Sequence, residues 1–284
     1  MRQSAFTASS VIQLWRTGMK YGEIITSRNN PLIKLYRKLS SSKKERSSLK
    51  MFVLEGVRIV FDALKENAPL CRIFITESAC LRYGSELESY EEDNLAVTVI
   101  SDELGSYISS TEQPQGIFAQ CRMPEQKSLD GFIKKDKKYI VLYKLQDPGN
   151  AGMIIRTADA LGIDGVIFSE SCDVFSPKVI RSTMGSVFRL PLLPTADINE
   201  VFECFAVCGI RTYASVIDKD AEDIKSADFS GGAAVLIGNE GSGLPDDITG
   251  SCMGKVTIKM HGNIDSLNAA MATGIIMWEL KKFE

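Results

Sequence analysis

From residue 139 onward, short apolar runs alternate with stretches of helical periodicity, and this alternation constrains the fold more than any other feature of the chain. Strands are expected at 139–145, 165–168, 190–193, 211–216, 233–238 and 256–260, most of them separated by helical segments. Such an order implies a mainly parallel sheet covered on both faces, with ligands taken at the C-terminal strand edge. The reading is an α/β fold.

The first half reads as a smaller α/β unit. Asn30 and Pro31 precede Leu32, Ile33, Leu35, Tyr36 and Leu39, a helical pattern with proline near its first position. Strands are expected at 52–54, 72–76, 96–100 and 116–121, with helices at 55–64 and 101–109. Residues 1–20 show weak periodicity and read as an N-terminal extension. The expected organisation is thus 1–20 extension, 21–122 first α/β domain, 123–138 linker or connecting helix, and 139–284 main domain.

Charge is uneven along the chain. The formal net charge is -3, but the first 60 residues hold 12 lysines and arginines against three acids, while the rest carries 21 against 33. Arg28, Lys34, Arg37, Lys38, Lys43, Lys44, Arg46 and Lys50 are interleaved with serine and asparagine around Tyr36. Cations so placed can neutralise phosphates while hydroxyls and amides fix register on a nucleic-acid backbone. A solvated helix face explains the same run equally well.

Other features exclude function classes. The single histidine, His261, rules out a histidine metal cluster, and no metal site is expected. No G-x-S-x-G elbow accompanies it, which sets hydrolase chemistry low. Seven cysteines occur without a C-x-x-C pair, a pattern that fits a reducing cytoplasm. No apolar run has membrane-spanning length, and the N-terminus lacks a signal-peptide pattern, so a soluble cytoplasmic protein without membrane partners is expected.

Three loops follow strands. The first, Gln146-Asp147-Pro148-Gly149-Asn150-Ala151-Gly152, enters a largely apolar helix that carries Arg156 and stops at Gly162; Asn150 is the expected N-cap. Burial of Arg156 would be costly without an anion, unless Asp159 pairs with it internally. The second loop, Ile237-Gly238-Asn239-Glu240-Gly241-Ser242-Gly243-Leu244-Pro245, lacks the Gly-Lys-Ser/Thr ending of a P-loop and the dinucleotide fingerprint. The third leads from Ile258-Lys259-Met260 to Ser266-Leu267-Asn268 and a helix of small residues, with Asp265 or Ser266 as the expected cap.

In this order and after these strands, the three loops resemble the signature motifs of the SpoU/TrmH family of RNA ribose 2'-O-methyltransferases, in the SPOUT class. Residues 25–31, 52–56 and 111–116 are similar to that family's N-terminal substrate domain, and the resemblance leaves out residues 1–20. It implies a C-terminal domain with a deep trefoil knot, which topology rules alone would never predict. It further implies S-adenosyl-L-methionine held largely by main-chain groups, a homodimer, and an N-terminal α/β domain similar to a small ribosomal RNA-binding protein.

By the same resemblance, Arg156 is the leading catalytic residue, clamping phosphate or assisting loss of the 2'-hydroxyl proton. Asn150 orients substrate or Arg156, Glu240 positions polar groups, and Ser266 with Asn268 completes the polar floor. Gly238, Asn239, Ile258 and Leu267 surround the cofactor. The expected substrate is ribosomal RNA, with transfer RNA second. The competing readings are a noncatalytic RNA-binding scaffold of the same fold, which intact Arg156, Glu240 and Asn268 oppose, and a nucleotide-binding oxidoreductase.

Overall fold

A computed structural model describes residues 23–90, 95–125, 127–195, 197–260 and 266–282; the proposed extension 1–20, His261 and Asp265 lie outside them. The chain forms two compact units that divide between Met123 and Pro124.

The first unit begins with helix α1 (Pro31–Ser41), and the Asn30 side chain accepts from the Leu32 N–H at 2.9 Å as its cap. Helix α2 (Lys43–Leu49), capped by Ser42, follows at once and leads to β1 (Met51–Glu55). Then come α3 (Val57–Lys65), β2 (Leu70–Thr76), α4 (Glu77–Glu88), β3 (Ala96–Ile100), α5 (Asp102–Ile108) and β4 (Ile117–Arg122). The sheet order is β1-β4-β2-β3, antiparallel except between β2 and β3. Ile33, Tyr36 and Leu39 of α1 are buried against Phe74 and Phe118, both edge-on to the Tyr36 ring at 5.8 Å.

The basic run divides on this scaffold. Arg28, Lys34, Arg37, Lys38, Lys43 and Lys44 are exposed. Arg46 is not: it is 4% exposed, and its Nη1 donates to the carbonyls of Leu39 at 2.5 Å and Ser40 at 3.2 Å. Those carbonyls sit at the end of α1, where helical partners run out, so Arg46 is a structural capping cation and not an RNA contact.

The second unit contains α6 (Leu129–Phe132), β5 (Lys138–Tyr143), α7 (Pro148–Ala160), β6 (Gly165–Ser169), α8 (Pro177–Thr183), β7 (Leu192–Thr195), α9 (Ile198–Cys208), β8 (Arg211–Ser215), β9 (Glu222–Asp223), β10 (Ala233–Ile237), α10 (Asp246–Ser251), β11 (Gly254–Thr257) and α11 (Ala269–Lys281). All seven strands run parallel in the order β7-β6-β5-β10-β8-β11-β9. Every residue of β5, β6 and β10 is buried, as expected where both faces of a parallel sheet are covered. The polar stretch before β5 is anchored as well, because Phe132 and Ile133 belong to this core.

Strand order fixes where a ligand can sit. The chain leaves β5 toward β6 and β7, then returns through β8 to lay β10 on the other side of β5. The carboxyl ends of β5 and β10 therefore flank a switch point, where loops diverge and leave a crevice.

Two expected helix caps are corrected. Helix α7 begins at Pro148, and its N-cap is Asp147, whose Oδ1 accepts from the Asn150 N–H at 2.8 Å. Asn150 lies inside the first turn, which frees its side chain. Helix α11 is capped by Asn268, whose Oδ1 accepts from Ala270 and Met271, rather than by Ser266. Gly162 ends α7 as expected, at φ +70°.

Candidate active site

All three motif loops meet through one run of hydrogen bonds. After β10 the chain turns tightly at Gly238, where a Cβ would stand 2.2 Å from the carbonyl carbon of Gly243 and 2.4 Å from the Leu244 nitrogen. Only glycine allows backbone to pass backbone so closely. Asn239 fixes the turn: its Oδ1 accepts from Gly241 N and Ser242 N at 2.9 and 3.1 Å, and its Nδ2 donates to the Lys144 carbonyl at 2.9 Å.

That turn presents Glu240 to the loop after β5. The Glu240 carboxylate accepts from the main-chain N–H groups of Gln146 (3.0 Å) and Asp147 (2.9 Å) and from Asn150 Nδ2 (3.1 Å). Partial burial pushes its pKa up, but these three donors outweigh burial and hold it below its ordinary value of 4.5. Asn150 Oδ1 in turn accepts from Asn268 Nδ2 at 2.9 Å. The chain Glu240 to Asn150 to Asn268 thus fixes both amide orientations, since each end of the Asn150 amide has one defined partner.

The remaining site residues stand apart from this relay. Arg156 is exposed, two turns along α7, and among the described residues it makes no hydrogen bond or ion pair. Its expected burial is corrected, because the α7 core is formed by Ala151, Gly152, Ile154, Ile155 and Ala158. Asp159 does not pair with it either; that carboxylate binds Arg189 at 2.7 and 3.0 Å. Ser266 is exposed, while Gly238, Ile258 and Leu267 are half-buried. Gln146 and Asp147 were missed as site residues, although Asp followed directly by Pro is the signature of an N-cap before a first-turn proline.

Among the described residues, the main chain at Ile258 and Leu267 takes part in no loop or cap hydrogen bond. No group of three or more metal-ligating side chains exists among the described residues.

Comparison with known proteins agrees with this geometry. The model of the SpoU rRNA Methylase family matches residues 137–278, and an MRM3-like substrate binding domain matches residues 30–119. The chain is 32% identical over 261 residues to the 23S rRNA (guanosine(2553)-2'-O)-methyltransferase RlmP of Bacillus subtilis, covering 90% of this chain and 98% of the relative. It is 30% identical over 263 residues to a 23S rRNA (uridine(2479)-2'-O)-methyltransferase of Streptomyces viridochromogenes, covering 90% of each. The crystal structure of an AdoMet-bound rRNA methyltransferase from Sinorhizobium meliloti superposes with a TM-score of 0.81 at 29% identity, over 92% of this chain and 97% of that one. With its three loops joined at the β5–β10 switch point and half its length matched, the chain belongs to the SpoU rRNA methylase family.

Proposed function

We propose that the protein transfers a methyl group from S-adenosyl-L-methionine to a ribose 2'-hydroxyl of ribosomal RNA. The observation that carries this reading is the Glu240–Asn150–Asn268 relay, which ties three loops distant in sequence into one polar floor. The cofactor, when bound, supplies an electrophilic methyl group on a sulfonium sulfur. Gly238, Asn239, Ile258 and Leu267 hold it through main-chain groups and apolar walls. Asn150, with its amide fixed by Glu240 and Asn268, orients the ribose; Ser266 completes the floor. Arg156 would keep its proton, clamp the neighbouring phosphate and favour negative charge on the 2'-oxygen as the oxygen–carbon bond forms and the methyl carbon–sulfur bond breaks, with S-adenosylhomocysteine as the leaving group. The hydroxyl proton leaves to water.

Residues 21–122 act as the RNA-binding domain in this scheme, with Arg28, Lys34, Arg37, Lys38, Lys43 and Lys44 on phosphates; residues 123–138 connect it to a methyltransferase domain, 139–284, threaded as a trefoil knot. The active form is a homodimer. Exposed Met271, Ile275 and Trp278 form an i, i+4, i+7 stripe on α11, and Met153 is exposed one turn before Arg156 on α7. No helix of the described residues is long and apolar enough to cross a membrane, and the free cysteines suit a reducing cytoplasm.

Incubation with ribosomal RNA and labelled S-adenosylmethionine, followed by mapping of 2'-O-methyl positions, tests the proposal. Titration calorimetry with S-adenosylhomocysteine tests the cofactor separately. A folded protein that neither binds S-adenosylhomocysteine nor labels RNA would end it.

A further inference from the structure

Three side chains of the first unit form a cluster that the basic run alone does not explain. Tyr107, on the last turn of α5, packs its partly buried ring against the Ile33, Tyr36 and Leu104 core. The guanidinium carbon of Arg28, from the turn before α1, lies 4.4 Å from the ring centroid, and that of Arg37, from α1 itself, lies 4.3 Å from it. Arg37 Nη1 also donates to the Tyr107 hydroxyl. Three separate segments converge here.

One guanidinium on a tyrosine ring is an ordinary packing contact. Two on one ring are within about a Debye length (~8–10 Å) of each other and repel. Among the described residues neither has a carboxylate partner or any ion pair to offset this. Both side chains are exposed and could separate into solvent, yet both guanidinium groups lie on the same ring. Lys34 and Lys38 stand exposed on α1 beside Arg37 and add positive charge. What completes such a cluster is an anion able to accept from planar N–H pairs, and phosphate matches that geometry.

We infer that Arg28, Tyr107 and Arg37 form a phosphodiester clamp, in which Tyr107 is a positioning residue that pre-orders two arginines for the RNA backbone without reading base identity. The inference rests on the reading of the chain as an RNA methyltransferase and adds to it the seat where this unit grips its substrate. Pre-ordering matters because free arginine side chains lose rotamer freedom on binding, and the ring removes that loss in advance.

The test uses the full chain and labelled single-stranded oligouridylate and oligoadenylate, with affinity followed over a series of salt concentrations. Tyr107→Leu keeps an apolar side chain in place but removes the π face. It is expected to weaken binding to both oligomers about tenfold and to lower the salt slope by about 1.4, roughly 0.7 for each guanidinium on a single strand. The Arg28→Gln/Arg37→Gln double variant, which leaves the core untouched, is expected to do the same. Tyr107→Phe is expected to hold a near-native slope. S-adenosylhomocysteine binding in every variant, and the thermal midpoint of the double arginine variant, serve as controls and should not move.

Unchanged affinity and slope in the double arginine variant would overturn the clamp while wild-type methylation of ribosomal RNA left the enzymatic reading standing. Loss confined to one of the two oligomers would overturn it in favour of base recognition. A wild-type chain that neither binds nor methylates RNA would remove both.

Discussion

Arg46 directs its guanidinium to the carbonyls of Leu39 and Ser40, whereas Arg156 leaves its own in solvent with no partner among the described residues. The difference decides what each substitution should do. Arg156→Ala removes an exposed side chain with no bonds, so its cost in stability should stay within about 0.5 kcal/mol. If Arg156 clamps phosphate, methyl transfer should nonetheless fall about 100-fold or more. Chemical denaturation and a single-turnover methylation assay measure the two effects separately; a collapse of both together would mean that the residue acts through packing. Glu240 makes the complementary case, since its carboxylate is held below its ordinary 4.5 by Gln146, Asp147 and Asn150 despite partial burial. A depressed folded-state pKa stabilises the native state above the unfolded value and loses that contribution as pH falls through the folded value. The stability gap between wild type and Glu240→Gln should therefore be full at neutral pH and close between about pH 5 and pH 3. Denaturation midpoints collected across that range check the sign, and a gap that widened on acidification would refute the assignment of the charged form.

The start of helix α7 sets the position of Asn150, and its packing sets how well Asn150 is held. The sequence reading takes Asn150 as the cap; the structure has Asp147 in that place, while Glu240 captures the Asn150 amide from another loop. Long-range capture of this kind is invisible to local propensity. The same holds for Asn268, which caps α11 while also bonding Asn150. Helices α2 and α4 were not expected from periodicity. In α4 the pattern is blurred by Gly84 and by the exposed Leu81, though Thr76 caps it in the usual way. Alternation, by contrast, found a strand near every observed one except the two-residue β9, since full burial leaves strong apolar runs, although β7 and β11 each lie two or more residues from their expected bounds. Where α7 meets α8, a Cβ on Gly152 would stand 2.3 Å from the Ser182 Cβ and 2.8 Å from the Val179 carbonyl oxygen. Alanine would add about 1 kcal/mol of helix propensity, but forcing the two helices apart should cost more, ~1–3 kcal/mol. Gly152→Ala should therefore lower the urea midpoint and, through displacement of Asn150 two residues earlier, reduce methyl transfer. A midpoint at or above wild type would show that α8 yields without strain.

For the molecule as a whole, the parallel α/β architecture and the family were legible because three loops with distinctive residues follow strands that themselves read clearly. The pairing of β5 with β10 was not, since no local signal tells a strand which earlier strand it will join. An assembly is a further step, and the surface supplies its argument. Trp278 is 65% exposed, Met271 61% and Met153 55%, on two packed helices of which one bears Arg156. Large apolar side chains left together in water favour association, and a two-fold interface would place the same patch on itself. Burying this face against a second copy would also bring Arg156 from solvent into a walled cleft, where a guanidinium acts on phosphate far more strongly than in bulk water. Trp278→Glu places a charge at the centre of that face while touching none of the residues of the Glu240–Asn150–Asn268 relay. It should convert a dimer to a monomer in sedimentation velocity and abolish methyl transfer, with the thermal unfolding of the isolated subunit still cooperative. A wild-type chain that sediments as a monomer at micromolar concentration and methylates at full rate would show that one copy is sufficient and that this apolar face has another use.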